Sequence, residues 1–255
     1  MTTTLSASDS SRCVLRMADT CLILGHRMSE LMGHAPILEE DLSIANIALE
    51  LVDQSREWLT LAGTLEARGR DEDALAYTRA EHEFLSVTLV EQKNGHFGDT
   101  VMRQLLLSCW QRAWYQAAQR SANQHVKELA TRFLPQAEFH YRWAADWTVR
   151  LGDGTPLSHN RIQQSANALW KFTGELFESD ELDRVSTNAG WTPAPESLRT
   201  PWQSAIEETF AIATLQIPNC DTLRWHGKRG EHGEELGLLL AEMQSLARAH
   251  PGAEW

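Results

Sequence analysis

The sequence predicts an all-α fold, and three observations carry that expectation. Apolar residues recur at three- and four-residue steps along most of the chain, which places them on single stripes at about 100° per residue. Sustained apolar/polar alternation, the mark of a half-buried strand, is missing. Ala, Leu, Glu, Gln and Arg dominate, and runs of Val, Ile and Thr are few. At 255 residues the chain is long enough to bury a large core.

The first helix is expected over residues 10–32, with Val14, Ala18, Cys21, Gly25, Met28 and Met32 on its apolar stripe. Gly33 and then Pro36 supply its stop signal. A second helix is expected over 39–67, with Leu42, Ala45, Leu49, Val52 and Leu59 turned inward and Gly69 just past its end. A shorter helix follows over 71–86, and Lys93-Asn94-Gly95 makes a turn. The fourth helix covers 99–122. The fifth runs to residue 151 and carries Val126, Leu129, Phe133, Ala137, His140, Ala144, Trp147 and Leu151 on one stripe. Pro135 inside it predicts a kink or a restart. Residues 151–156 read as a loop. A sixth helix is expected over 158–177, mixed structure over 179–201 where Pro193 and Pro195 interrupt, and two more helices over 201–216 and 232–250.

Two long hairpins joined by a short crossover helix reproduce the order of a ferritin-like four-helix bundle with one long connection. The expectation is one domain over 1–255, with a core bundle at about 10–151 and additional C-terminal helices at about 158–250.

Composition narrows the function classes. A net charge of -12 argues against a nucleic-acid partner and against an anionic membrane surface. Lys228 and Arg229 form a small basic spot that reads as a solvated loop. Cys13, Cys21, Cys109 and Cys220 lack metal-binding spacing, and Cys21 and Cys109 read as buried thiols. The chain shows neither a bilayer-length apolar run nor a signal peptide, so a soluble, cytoplasmic protein is expected. Of the ten tryptophans, Trp110, Trp114, Trp143, Trp147 and Trp170 cluster on the middle helices and should be mostly core. Trp110 falls on the outward side of its helix and is a candidate interface anchor.

His140 raises the sharpest chemical question. A histidine on the buried face of a bundle helix is how ferritin-like proteins hold a metal pair. That chemistry also needs a Glu three residues earlier and further carboxylates from the other helices, to neutralise two divalent irons. Here the residue three before His140 is Ala137, and Glu138 points to nearly the opposite side. The second helix holds Glu50-x-x-Asp53, with Asp where His should stand. Asn46, Glu50, Asp53 and Glu57 form one polar arc that reads as a solvated face. On the first helix, Asp19 and Glu30 lie away from the stripe. From Thr100 to Lys127 there is no Asp or Glu at all. One hairpin keeps a Glu without the His and the other a His without the Glu. The expectation is a degenerate site at Glu50, Asp53, Ala137 and His140, with no metal, no cofactor and no catalytic residue in this chain. His140 then reads as a hydrogen-bonded core residue. Glu81-His82-Glu83 is dense in polar groups, but sequence neighbours on a helix do not face one another. Nucleophile, phosphate-loop and Cys-x-x-Cys motifs are missing.

Several segments resemble the PaaC family of phenylacetyl-CoA epoxidase (phenylacetate-CoA oxygenase) subunits. They are Gly33-His34-Ala35-Pro36 with Asp41-Leu42 and Ala45-Asn46-Ile47, and Leu89-Val90-Glu91-Gln92 with Asn94-Gly95, Phe97 and Asp99-Thr100. Leu169-Trp170-Lys171-Phe172-Thr173, Glu175-Leu176-Phe177, Leu240-Ala241-Glu242-Met243-Gln244 and Pro251-Gly252 with Trp255 continue the match over nearly the whole chain. The resemblance implies a ferritin-like, non-catalytic structural subunit in aerobic phenylacetate breakdown. It implies that the di-iron centre, which epoxidises the aromatic ring, belongs to a separate catalytic subunit. A further small subunit and a reductase using NADPH, flavin and iron-sulfur would complete the complex. Two other classes remain open on the residues themselves. One is an autonomous oxygenase or oxidase with iron on Glu50, Asp53, Glu57 and His140. The other is a module binding a CoA thioester in the space left by the missing metal.

Overall fold

The computed structural model describes residues 5–220, 222 and 226–253, and their regular structure is helical, with one isolated bridge between His226 and Glu231. Residues 1–4, which open the expected signal-free start, and Trp255 lie outside the described residues.

Helix α1 spans Ala7–Ser29, and its N-cap Ser6 accepts the Asp9 N–H. Helix α2, Leu38–Glu66, returns antiparallel to it, because Ser11 at the start of α1 donates to the carbonyl of Ala62 near the end of α2. The pair packs tightly at Gly25, where a Cβ would lie 3.1 Å from Val52 and 3.4 Å from the Ala48 carbonyl. The connection holds two short helices, α3 (Glu72–Tyr77) and α4 (Thr88–Glu91). The second hairpin is α5 (Phe97–Ala118) with α6 (Gln124–Gly152). Tyr115 meets Phe133 at one end of this hairpin, and Phe97 meets Trp143 and Trp147 at the other. The hairpins face each other, with α2 against α6 and α1 against α5 through bonds described below. This is the ferritin-like bundle, all-α among the described residues.

Helices α7 (Pro156–Leu169), α8 (Glu181–Asn188), α9 (Arg199–Ile212), α10 (Glu234–Met243) and α11 (Ser245–Ala249) pack onto the bundle. Trp202 of α9 donates its indole N–H to the Leu106 carbonyl of α5 at 2.8 Å. Buried apolar side chains form a continuous cluster from Val14 to Leu240. Among the described residues no helix is long and apolar enough to cross a membrane.

The structure departs from the sequence reading at identifiable places. On α2 the inward face is Ile44, Ile47, Ala48, Leu51, Gln54 and Trp58, whereas Leu42, Leu49 and Val52 are exposed. The helix carries two adjacent apolar stripes, and α1 and α6 cover the one that holds Ile44 and Leu51. Asp19 is fully buried and pairs with Arg79, because α1 is enclosed on nearly all sides. That pair also divides the helix expected over 71–86: Asp19 accepts the Leu85 N–H at 2.8 Å and Arg79 donates to the Glu83 carbonyl, so the chain leaves helical geometry between α3 and α4. Trp110 is buried and donates to the Leu176 carbonyl at 3.2 Å, since later segments cover the outer side of α5. Helix α6 passes through Pro135 without restarting. Pro135 and Thr131 are exposed, so the Thr131 carbonyl freed by the missing N–H faces water. The helices expected over 158–177 and 232–250 are shorter. The first ends in two 3₁₀ turns, and the second breaks at Gln244, whose buried amide donates to the carbonyls of Ala76 and Arg79. Lys228 is buried rather than solvated, whereas Arg229 stays half-exposed. Lys228 donates to the Glu178 carbonyl and to Asp183, and Arg229 pairs with Asp180.

Candidate functional site

Polar side chains from all four bundle helices enter part of the bundle interior. Helix α5 sends in Gln104, Ser108, Gln111 and Tyr115, spaced so that all fall on one face. Helix α2 contributes Gln54 and Trp58, helix α1 contributes Cys21, and helix α6 contributes Gln136, Ala137 and His140. Gln54, Trp58, Gln111, Tyr115, Gln136 and Cys21 bond across the bundle, whereas Ser108 donates to the Gln104 carbonyl of its own helix and the Gln104 amide has no partner among the described residues. The Gln54 amide donates to Gln136 at 2.9 Å, and its carbonyl oxygen accepts the Tyr115 hydroxyl at 2.9 Å. Trp58 donates to Tyr115 at 3.3 Å, and Gln111 donates to the Cys21 sulfur at 3.3 Å. Burial pushes the Cys21 thiol up to about 12 and the Tyr115 hydroxyl well above its usual range, so both stay protonated. Every link named is therefore neutral.

His140 is fully buried, and its Nε2 lies 2.7 Å from Oε2 of Glu50. The carboxylate is an acceptor, so Nε2 carries the proton. The structure thus joins the two expected positions that lay on different hairpins. It separates the other two from them. Asp53 turns outward and pairs with Arg56 and with Arg132 of α6, and Glu57 meets the same Arg132. Ala137 is buried apolar packing. The arc is solvent-accessible, with Asn46 exposed, and it also carries ion pairs between α2 and α6. Glu81, His82 and Glu83 are exposed; Glu83 accepts the Ala80 N–H. Among the described residues no three His, Cys, Asp or Glu side chains converge as a metal-binding group.

Sequence reasoning missed the glutamines. Gln54, Gln111 and Gln136 carry no charge, and a site defined by its carboxylates does not include them. The available signal was the spacing of Gln104, Ser108, Gln111 and Tyr115, which repeats at four, three and four residues inside an otherwise apolar helix.

The outer side of α2 has a different character. Leu38, Leu42 and Leu49 are 71, 57 and 68 % exposed, and Val52 continues the row. These large apolar side chains align along one exposed face of the helix.

A family model described as "Phenylacetic acid catabolic protein" matches residues 2–255. The chain is also 42 % identical over 241 residues to a subunit of the 1,2-phenylacetyl-CoA epoxidase of Escherichia coli (strain K12), a match covering 94 % of this chain and 97 % of that protein.

Proposed function

Because the chain belongs to the phenylacetic acid catabolic protein family, we propose that it is a structural, non-catalytic subunit of a multi-subunit phenylacetyl-CoA epoxidase. The observation that carries this reading is the hydrogen-bonded interior around Gln54 and His140. A di-iron centre in such a bundle takes a Glu from each of two helices and a Glu-x-x-His pair from each of the others. Here the inward groups are neutral amides, hydroxyls and a protonated thiol, with one histidine and one carboxylate bonded to each other. Four negative charges are required and one is at hand. The residues do not fit the metal pair, so the di-iron centre is assigned to a separate, catalytic subunit. NADPH, flavin and iron-sulfur groups are assigned to a reductase.

The chain then works by packing. The exposed Leu38, Leu42, Leu49 and Val52 row of α2 supplies the apolar centre of a docking face. A permanent interface of this kind buries well over ~2,000 Å² and is more apolar at its core than the rest of the surface. It holds the iron-bearing helices of the partner in place without touching the reaction. The test is epoxidation by the reconstituted complex with and without this chain. Activity should collapse when it is omitted, while iron content stays with the catalytic subunit. Full activity in its absence, or about two irons per chain bound by this subunit alone, overturns the reading.

A further inference from the structure

At the end of the bundle where α5 begins and α6 ends, a cavity of about 300 Å³ opens to solvent. Ile37 before α2, Phe97 of α5, Trp147 of α6, and Leu157, Arg161 and Ile162 of α7 line it. Its aromatic walls are held in place. Phe97 meets Trp147 edge-on, with ring centroids 5.0 Å apart and planes at 90°. The Trp147 indole N–H donates to Glu40 at 2.6 Å, which fixes the orientation of that ring. Arg161 has no carboxylate partner among the described residues. The carboxylate of Asp99 in the first turn of α5 is engaged by the Ser165 hydroxyl at 2.7 Å and the His96 N–H at 2.9 Å. An unpaired guanidinium beside an aromatic-walled cavity suits a flat ring that carries an anion at one end. The volume sits at the lower bound of small-molecule pockets, enough for one ring and its substituent and too little for a nucleotide-bearing thioester.

We propose that this cavity binds a small aryl carboxylate, with the ring against Phe97 and Trp147 and the carboxylate on Arg161. The site goes beyond the structural role and does not depend on it. The experiment is calorimetric titration of the full purified chain with phenylacetate, with cyclohexylacetate and phenylacetamide as probes of the ring and the charge. Saturable binding with a Kd on the order of 1 mM is expected for so small a ligand. Arg161→Gln and the uncharged amide should each weaken it about tenfold, the scale of a lost charge-assisted hydrogen bond. Phe97→Leu and the saturated ring should weaken it as well. No saturation up to about 20 mM, a limit set by the affinity expected of a ligand this size, overturns the proposal. So does equal affinity in Arg161→Gln. Copurification with a catalytic subunit is read separately, so a failed titration leaves the structural reading standing.

Discussion

His140 donates to Glu50 from a fully buried position, and Glu50 keeps about a third of its side chain in solvent. Removing the ring therefore leaves a carboxylate that water can satisfy, and the cost reduces to one hydrogen bond and a cavity. His140→Ala should destabilise the chain by about 2 kcal/mol, measured by urea unfolding. A change under about 0.5 kcal/mol would mean the interior closes without it. Asp19 is the harsher case. It and Arg79 are both buried, so Asp19→Ala strands a guanidinium in the core and should cost about 3–5 kcal/mol. His232 gives the chain a pH dependence. Its Nδ1 lies 2.6 Å from Glu91 and its Nε2 2.8 Å from the Phe84 carbonyl, and both partners are acceptors, so only the imidazolium form donates to both. Burial opposes that charge, but the hydrogen bond and charge of Glu91 outweigh it and raise the pKa above 6.5. A raised folded pKa means the stabilisation is complete below the unfolded value and is lost as pH rises through the folded one. Unfolding midpoints compared between about pH 6 and pH 9 should fall on the alkaline side, and His232→Gln should flatten that slope.

On the proposed reading, helix α2 supplies the docking face. Its two apolar stripes are equally readable in the sequence, and only the packing of α1 and α6 determines which one is covered. The stripe left outside makes a prediction at the scale of the helix. Leu49→Glu should change stability by less than about 0.5 kcal/mol, because the site is exposed, yet abolish copurification with the catalytic subunit. Unchanged copurification would move the docking face elsewhere. The end of α6 is constrained in the opposite sense. A Cβ on Gly152 would lie 2.2 Å from the Ala213 carbonyl just past α9, backbone that has no free rotamer to yield. Gly152→Ala should therefore cost about 1–3 kcal/mol by overpacking, read from the thermal midpoint.

At the scale of the whole molecule the centre of the bundle is held by amides. Gln54 bridges the two hairpins, accepting from Tyr115 of α5 while donating to Gln136 of α6. Neutral hydrogen bonds suit a dry interior better than unpaired carboxylates, which cost several kcal/mol each to desolvate. The later helices complete the enclosure. Trp110 and Trp202 each give an indole N–H to a main-chain carbonyl, which ties α5 to the segments outside it.

The helical class, the two hairpins and the absence of carboxylates from α5 beyond its first turn were determined by the sequence alone. Apolar period and charge are local properties of the chain, and so is the absence of Asp and Glu between Thr100 and Lys127. The tertiary structure decided which stripe of α2 faces inward, that Asp19 is buried, and that Trp110 is covered. Each of those depends on what packs against a helix, and a single helix carries no record of its neighbours. The same reason explains the site. Glu50 and His140 were both identified, but their 2.7 Å contact exists only because α2 and α6, far apart in the chain, run side by side.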